Sequence, residues 1–368
     1  MRYPSIYIAA LASLLAFAAY NPLSAEIEAG GSVNLDACAG DTTHLGVSRI
    51  VEINSAGGPN VGGDMRGAEQ LLNDGEVVLT FDDGPMRSVT KPILKALADQ
   101  CTKATFFMVG QMALADAELV REVAAAGHTV GTHTWSHKNL RAVSLAKSQQ
   151  EIEAAISTVS QAKGTPVAPL FRFPYLNSTK QTENYLKGRN IAAIWVDVDS
   201  KDYLTRSPKV VLQRILAQLA TTKKGIILMH DIHAWTAAML PDLLKELHDR
   251  GFKVVHFVPE GHIDTIASYD EAAQKALAAK AAKKAANPIA SRSIVWPMSP
   301  APSPSAETDV AAVTLSGTKH KATRYKKIST KPSITEGLSG ENSEAPAAKY
   351  KKGVKPKEPE SVWPSFFN

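Results

Sequence analysis

The chain has 368 residues, which is enough for one or two domains with sizeable cores. Hydrophobic residues make up 44% and charged residues 21%, which excludes a wholly disordered protein, and no apolar run reaches the roughly 20 residues of a membrane-spanning helix, which excludes a polytopic membrane protein. The net charge of +5 is uneven, because residues 271–368 contain 16 Lys and Arg against 8 Asp and Glu, whereas residues 1–270 contain 25 against 28.

The N-terminus has the pattern of a secretory signal peptide. Arg2 precedes an apolar stretch from Ile6 to Ala19, and Ala25 ends a short segment that suits a cleavage site. We therefore predict a signal peptide over residues 1–25 and an exported protein, periplasmic or secreted. The alternative is an uncleaved membrane anchor, for which this apolar stretch is short.

The chain has two cysteines, Cys38 and Cys101. Cys38 lies in residues 26–73, which we predict to be an N-terminal extension. In an oxidising compartment a disulfide between the two cysteines would connect this extension to the body of the protein, and the alternative is a buried unpaired thiol. Two cysteines alone cannot form a structural zinc site.

Between residues 75 and 260, short apolar runs alternate with amphipathic segments. The pattern predicts strands at Glu76–Phe81, Ala104–Val109, His128–Gly131, Leu170–Phe173, Ile191–Val196, Ile226–Met229 and Lys253–Phe257. It predicts helices at Pro92–Asp99, Glu118–Ala126, Ser144–Ala162, Gln181–Lys187, Pro208–Leu219 and Ala237–Arg250. Strands that are apolar on both faces and separated by helices indicate an α/β fold with a parallel sheet, open or closed into a barrel, and a site at the carboxyl ends of its strands.

The composition changes after about residue 262. Residues 263–286 are rich in Ala and Lys and predict a helix with almost no apolar face to bury. Residues 287–368 are rich in Pro, Ser, Thr and Lys and predict a disordered basic tail. Such a tail suits weak contact with an anionic cell wall or membrane surface, and a solubilising spacer is the alternative.

Polar residues follow the first and third predicted strands. The first strand ends in Asp82-Asp83-Gly84-Pro85, which taken alone is an ordinary turn. The third leads into His133-Thr-Trp-Ser-His137, where two imidazoles four residues apart can share a divalent metal ion. Thr134 stands where the metal-binding helix of a metalloprotease has its Glu, which argues against that class.

Three later strands also end in polar motifs. These are Arg172-Phe-Pro-Tyr175, Asp197-Val-Asp199-Ser-Lys-Asp202-Tyr203 and Leu228-Met-His230-Asp231. Chance could supply one such motif, but motifs at the ends of five strands indicate a single site where those ends meet.

In this order the motifs resemble those of the polysaccharide deacetylase family, carbohydrate esterase family four, which shares the NodB homology domain. The resemblance covers about residues 75–259, so we predict a catalytic domain over residues 74–262. It implies a distorted (β/α) barrel with about seven strands and metal-dependent hydrolysis of acetyl groups on carbohydrate. Its metal ligands match Asp83, His133 and His137, a set that suits one divalent ion, zinc in the first place and cobalt as an alternative.

The resemblance implies acid–base roles for four residues. Asp82 matches the general base and Arg172 the residue that orients it, so we expect Arg172 to lower the pKa of Asp82. His230 matches the general acid, and Asp199 matches the carboxylate that keeps this histidine protonated.

Four residues are expected to contact the substrate. Tyr175 matches the residue whose backbone N–H helps to bind the oxyanion, and Leu228 an apolar lining for the acetyl methyl group. Tyr203 stands where the family usually has Trp, which predicts a smaller or more polar cleft wall. Trp135 lies between the two histidines and is a candidate for stacking on a sugar ring, with packing in the protein as the alternative.

We therefore predict a hydrolase of linear amides that removes N-acetyl groups from N-acetylglucosamine-containing glycans, chitooligosaccharide or peptidoglycan, and releases acetate. Its partner is the acetylated glycan, and we expect no nucleic-acid partner. One alternative is an O-acetyl esterase acting on xylan or another polysaccharide. The other is a non-catalytic cell-wall-binding protein, which would be expected to have lost site residues that this chain retains.

Overall fold

The computed structural model describes residues 43–63 and 70–286. The predicted signal peptide, Cys38 and the predicted tail over residues 287–368 lie outside these ranges. Cys101 is bonded in a disulfide, so it is not the unpaired thiol of the alternative prediction. Within the described ranges, no helix combines the length and the apolar character that crossing a membrane requires.

All secondary-structure elements that the sequence pattern predicts have a counterpart. The strands are β1 (Arg49–Ile53), β2 (Asn60–Val61), β3 (Glu76–Asp82), β4 (Thr105–Met108), β5 (Thr129–Thr132), β6 (Leu170–Phe171), β7 (Ala192–Ile194), β8 (Val198–Asp199), β9 (Gly225–His230) and β10 (Lys253–Pro259). The helices are α1 (Arg87–Asp99), α2 (Gly110–Ala115), α3 (Ala117–Ala125), α4 (Leu145–Lys163), α5 (Lys180–Gly188), α6 (Pro208–Thr222), α7 (Ala234–Asp249) and α8 (Ala267–Ala286).

The strands form one parallel sheet. Its order is β1-β10-β3-β4-β5-β6-β7-β2, with β9 paired to β3 and β8 paired to β9. This confirms the predicted α/β fold with helices outside a barrel-like parallel sheet. Asp82 lies in register with Phe107 on one side and with His230 on the other, so the ends of β4 and β9 reach the same level as the end of β3.

Alternation along β3 separates its two faces. Val77, Leu79 and Phe81 belong to the large apolar cluster that includes the buried faces of the helices. Val78 belongs to a smaller apolar cluster on the opposite face, with Phe107 from β4. Thr80 and Asp82 share the face of Val78, and therefore the polar site continues from this second cluster toward the carboxyl ends of the strands.

The structure differs from the sequence-based prediction at several elements. β1 and β2 pair with β10 and β7, so the sheet extends into the segment 26–73 that was predicted to lie outside the catalytic domain. Helix α1 begins at Arg87, and Pro92 lies inside it, because the buried face of the helix already starts at Val89. The Ala/Lys-rich helix α8 buries more than expected, since Ala273 is fully buried and Leu277 packs against the large cluster.

Candidate active site

Asp82 and Arg172 form a buried ion pair at the end of β3. Arg172 donates from Nη1 to Asp82 Oδ1 at 2.8 Å and to Thr80 Oγ1 at 2.7 Å, and from Nε to the carbonyl of Ile194 at 3.1 Å. Its guanidinium lies over the ring of Phe107, 4.3 Å from the ring centroid. Three polar contacts and an aromatic face therefore fix the arginine, and the arginine fixes one oxygen of Asp82.

Burial raises the pKa of the Asp82 carboxyl above its ordinary value, and the positive charge of Arg172 reduces this shift without reversing it. Arg172 lowers the pKa of Asp82, as expected, but the desolvation of the fully buried carboxyl outweighs this ion pair, so the net pKa is raised. A carboxylate with a raised pKa is a stronger base.

Asp83, His133 and His137 bring three potential metal ligands together. The Oδ1 atom of Asp83 lies 3.6 Å from Nε2 of His133 and 3.3 Å from Nε2 of His137. This oxygen is buried and accepts no hydrogen bond from any residue that the structure describes. One ligand atom from each of the three residues lies within 4.8 Å of the others.

A hydrogen bond fixes the orientation of His133. Its Nδ1 donates to the carbonyl of Arg172 at 2.7 Å, which leaves the lone pair of Nε2 directed at Asp83. Burial lowers the pKa of His133 to about 3, so the imidazole is neutral at neutral pH. A neutral imidazole held through its other nitrogen is the usual form of a metal-ligating histidine.

The turns that present these ligands have unusual backbone conformations. Asp83, Thr134 and His137 have φ values of 77°, 65° and 55°, in the left-handed region that non-glycine residues rarely adopt. Glu151 of α4 stabilises the second turn, because its buried carboxylate accepts hydrogen bonds from the N–H and the hydroxyl of Ser136 at 2.8 and 2.9 Å. Such strain persists only where the surroundings overdetermine it.

The carboxylate beside His230 is Asp202, and the prediction that Asp199 pairs with this histidine is wrong. Nδ1 of His230 lies 2.6 Å from Oδ1 of Asp202, whereas Asp199 accepts from the hydroxyl of Tyr203 at 3.2 Å. A short 3₁₀ helix over Asp202–Leu204 turns Asp202 inward. The motif contains three aspartates, and their spacing alone does not indicate which of them this helix buries.

A cleft of about 340 Å³ opens above these residues. Tyr175 and Tyr203 lie at its exposed rim and Leu228 in its wall, and Asp199 also lines it. The prediction that Trp135 contacts substrate is wrong, because its side chain is only 3% exposed. Trp135 is packed so closely against Gly110 that a Cβ at that glycine would lie 2.6 Å from the indole ring.

His233 also lines the cleft and belongs to a second cluster with Asp202 and His230. Its ring stacks on Trp235, whose Nε1 donates to the carbonyl of Asp202 at 2.7 Å. Because Nδ1 of His230 is already bonded to Asp202, this second cluster suits proton transfer rather than metal binding. His233 matches no motif and was only a candidate for the pocket rim from the sequence, and it does line the cleft.

Comparisons with known proteins agree with this geometry. The family model described as polysaccharide deacetylase matches residues 70–194. A peptidoglycan-N-acetylglucosamine deacetylase of Bacillus cereus is 32% identical over 197 residues, which are 50% of this chain and 70% of that protein. The chain belongs to the polysaccharide deacetylase family.

Other members of the polysaccharide deacetylase family match over less of their own length. A peptidoglycan-N-acetylglucosamine deacetylase of Listeria monocytogenes is 34% identical over 179 residues, which are 49% of this chain but only 37% of that protein. The solved structure of a peptidoglycan deacetylase of Bdellovibrio bacteriovorus has a TM-score of 0.52 and 32% identity, and the match covers 58% of this chain and 59% of that one. The chain spans less than two thirds of the length of these two relatives.

Proposed function

We propose that the chain is a metal-dependent N-deacetylase that releases acetate from N-acetylglucosamine-containing glycans, peptidoglycan or chitooligosaccharide. One observation carries this proposal: a buried carboxylate, a three-ligand cluster and a carboxylate-paired imidazole all face one cleft. Amide hydrolysis requires an activated water, stabilisation of a developing oxyanion and protonation of a poor amine leaving group. The names of the relatives from Listeria, Bacillus and Bdellovibrio support peptidoglycan as the first glycan to test.

The side chains of Asp83, His133 and His137 fit a divalent metal ion. The buried Oδ1 atom of Asp83 has no hydrogen-bond donor within the described ranges and faces the two Nε2 atoms. One carboxylate and two imidazoles suit zinc, with cobalt as the alternative. Bound there with open coordination positions, the ion would supply Lewis-acid chemistry, acidifying water and polarising the acetyl carbonyl.

The proton transfers fall to Asp82 and His230. Asp82 lies beside the metal ligands, with Oδ2 3.8 Å from Nε2 of His133, and it accepts the proton of the attacking water. Arg172 holds the other oxygen of this carboxylate and so keeps the base in one orientation. His230, held by Asp202 through Nδ1, donates from Nε2 to the leaving nitrogen.

Tyr175 and Leu228 bind the acetyl group in this proposal. Tyr175 has a left-handed backbone, with φ 59°, and its N–H donates to the developing oxyanion. The side chain of Leu228 is 5% exposed and gives the methyl group an apolar wall. Because the role of Tyr175 belongs to its backbone, its exposed ring remains free to contact the sugar.

The compartment and the domain limits are proposals of the same kind. A peptidoglycan substrate requires the protein to be exported, periplasmic or secreted, in agreement with the signal peptide predicted over residues 1–25. We place the catalytic domain at residues 74–262, together with β1 and β2. The basic residues of the predicted tail over 287–368 suit weak contact with an anionic wall or membrane surface.

Acetate release tests the proposal. The purified chain, stripped of metal and then reloaded with zinc, is incubated with peptidoglycan fragments, chitin oligomers and acetylxylan in parallel. We expect acetate from the first or second substrate, only after reloading, and release reduced by about 10²–10⁴-fold in a zinc-loaded Asp82→Asn variant. Release from acetylxylan alone would replace the proposal with the O-acetyl esterase, and zinc binding without release from any glycan would favour the wall-binding alternative.

A further inference from the structure

Asp231 is a buried carboxylate that none of the steps above uses. It follows His230 directly at the end of β9, and it is 1% exposed. Burial of a carboxylate is costly unless hydrogen bonds compensate it. The hydrogen-bond partners of Asp231 all lie between Asp82 and Thr90, the segment that contains Asp83.

Asp231 forms hydrogen bonds with the residues on both sides of Asp83, the proposed metal ligand. Its backbone N–H donates to the carbonyl of Asp82 at 3.2 Å, and its Oδ1 accepts from the N–H of Gly84 at 2.9 Å. The residue before Asp83 and the residue after it are therefore both bonded to Asp231. Between these two points Asp83 has its left-handed backbone, with φ 77°, a conformation that is unfavourable for a non-glycine residue and needs such restraint.

The other oxygen of Asp231 extends the restraint to the start of α1. Oδ2 accepts from the hydroxyl of Thr90 at 2.6 Å, and this hydroxyl accepts from the N–H of Met86 at 2.8 Å. Gly84 allows the close approach, because a Cβ at this position would lie 2.1–2.3 Å from the carboxylate atoms of Asp231. Asp231 thus restrains the turn from Asp82 to Met86 at both of its ends, at Asp82 through its backbone N–H, and at Gly84 and Met86 through its carboxylate, which reaches Met86 by way of Thr90.

We propose that Asp231 is the positioning residue that holds Asp83 in the orientation needed to bind the metal ion. The inference rests on the metal centre of the proposed function. Asp231 acts through Asp83 and touches neither substrate nor metal. Asp231 directly follows His230, the proposed general acid, at the end of β9, the strand next to β3. Asp231 therefore also couples the position of Asp83 to that of His230.

Metal affinity tests the inference without any substrate. The full chain lacking only the predicted signal peptide is prepared as wild type, Asp231→Ala, Asp231→Asn, Thr90→Val and Thr102→Val. Zinc dissociation constants are measured by chelator competition, and the cobalt-loaded proteins are compared by visible spectroscopy. Thr102→Val is the matched control, because Thr102 is also buried, its hydroxyl has no hydrogen-bond partner in the described part of the chain, and it precedes β4 at the opposite end of the sheet.

Loss of the partner that orients a metal ligand commonly reduces affinity by about 10–100-fold. We expect a loss of this size in Asp231→Ala, a loss of about 3–10-fold in Thr90→Val, and an altered cobalt spectrum in both. Asp231→Asn should stay within about threefold, because an amide can accept from Gly84 and donate to Thr90. Thr102→Val should match wild type in affinity and spectrum, even if its melting temperature falls.

Several results would overturn the inference. Wild-type zinc affinity in Asp231→Ala and Thr90→Val would show that Asp83 needs no restraint. If Asp231→Ala does not fold, the zinc affinity of Thr90→Val decides the question. Equal losses of zinc affinity in Asp231→Ala and Asp231→Asn would show that the negative charge of Asp231 matters for zinc binding, rather than the hydrogen bonds by which it positions Asp83. Wild-type protein that binds zinc but releases no acetate would overturn the proposed activity alone, whereas wild-type protein without zinc affinity would overturn both.

Discussion

Asp202 and His230 form a short hydrogen bond, with Nδ1 of the imidazole 2.6 Å from Oδ1 of the carboxylate. Asp202 also accepts from the backbone N–H of His230 and from the hydroxyl of Thr236. Burial opposes the charged imidazole, but the hydrogen bond and charge of Asp202, with the charges of Asp82 and Asp83, outweigh it and raise the pKa of His230 to about 9. The imidazole is therefore protonated at neutral pH, as a general acid must be.

This pKa predicts the alkaline limb of the activity profile. Activity should fall on the alkaline side of the ordinary imidazole pKa of about 6.5, because His230, whose pKa is raised, then loses the proton that it donates. In Asp202→Asn the hydrogen bond to a charged carboxylate is lost and burial dominates, so we expect the limb to move to lower pH by more than one unit. The measurement is kcat/KM for acetate release between pH 5 and pH 10 with the metal site saturated.

Asp199→Asn is the matched control for this prediction. Asp199 lines the same cleft and carries the same charge, but it bonds to Tyr203 and to the N–H of Lys201. The alkaline limb of the Asp199→Asn activity profile should therefore remain near that of wild type. If the alkaline limb shifts in Asp199→Asn and stays in place in Asp202→Asn, then Asp199 is the partner of His230, as the motif predicts. The assignment of Asp202 from the structure would then be wrong.

The same pKa has a consequence for stability. The folded-state pKa of His230 lies above the ordinary value of about 6.5, so protonated His230 stabilises the fold at pH values below 6.5. This contribution should be lost as the pH rises from about 6.5 to 9. The difference in unfolding free energy between wild type and Asp202→Asn should accordingly shrink over this range, measured by urea denaturation of the metal-free proteins. A constant difference would contradict the raised pKa.

Asp82→Asn should separate turnover from metal binding. The amide cannot accept a proton from water, and we expect acetate release to fall by about 10²–10⁴-fold. Zinc affinity should stay within about threefold, because the three ligand atoms belong to Asp83, His133 and His137. Asp83→Asn provides the comparison and should weaken zinc binding strongly. Persistent turnover in zinc-loaded Asp82→Asn would remove Asp82 from the role of base.

Much of the fold was predictable because strand-forming apolar runs and helical periodicity are local signals. The runs at β3, β4 and β9 are long enough to be recognised, and the polar residues that follow them locate the site. β1, with five residues, and β2, with two, were missed because their pairing partners lie far away in the sequence and leave no local signal. A strand of two residues, such as Asn60–Val61, has no periodicity to detect.

The site was predictable in its residue types and only partly in its contacts. Asp202 and Asp199 are equivalent in the sequence motif, and only the 3₁₀ helix over Asp202–Leu204 distinguishes the buried carboxylate from the exposed one. The net pKa of Asp82 could not be predicted either, because it depends on complete burial as well as on the neighbouring Arg172. Trp135 looked like a cleft residue because it lies between two histidines, yet the turn directs it into the core.

Tyr203 should contribute to substrate affinity more than to turnover. Tyr203 is 51% exposed and lines the cleft, and its hydroxyl donates to Asp199. An aromatic contact of this kind is worth about 0.5–1.5 kcal/mol, so Tyr203→Ala should raise KM for an oligosaccharide by about 2–12-fold with little change in kcat. Tyr203→Phe should stay near wild type.

Leu204→Ala is the control for Tyr203. Leu204 is the next residue and is 63% exposed, but it does not line the cleft. The KM of the Leu204→Ala variant for the same oligosaccharide should not change. A fall in kcat at constant KM in Tyr203→Ala would indicate that Tyr203 takes part in the chemical step and would contradict a binding role.

Gly131 of β5 should be sensitive to a single added methyl group. A Cβ at this position would lie 2.6 Å from the carbonyl oxygen of Leu170 and 2.9 Å from the ring of Phe107. Because both neighbours belong to adjacent strands, Gly131→Ala must push the sheet apart, and we expect a loss of about 1–3 kcal/mol in the free energy of unfolding. Gly188→Ala is the matched control, since a Cβ there meets nothing within 4 Å and Ala is the better residue at the end of α5. Urea denaturation of both metal-free variants measures the difference, and equal stabilities would show that β5 and β6 can separate without cost.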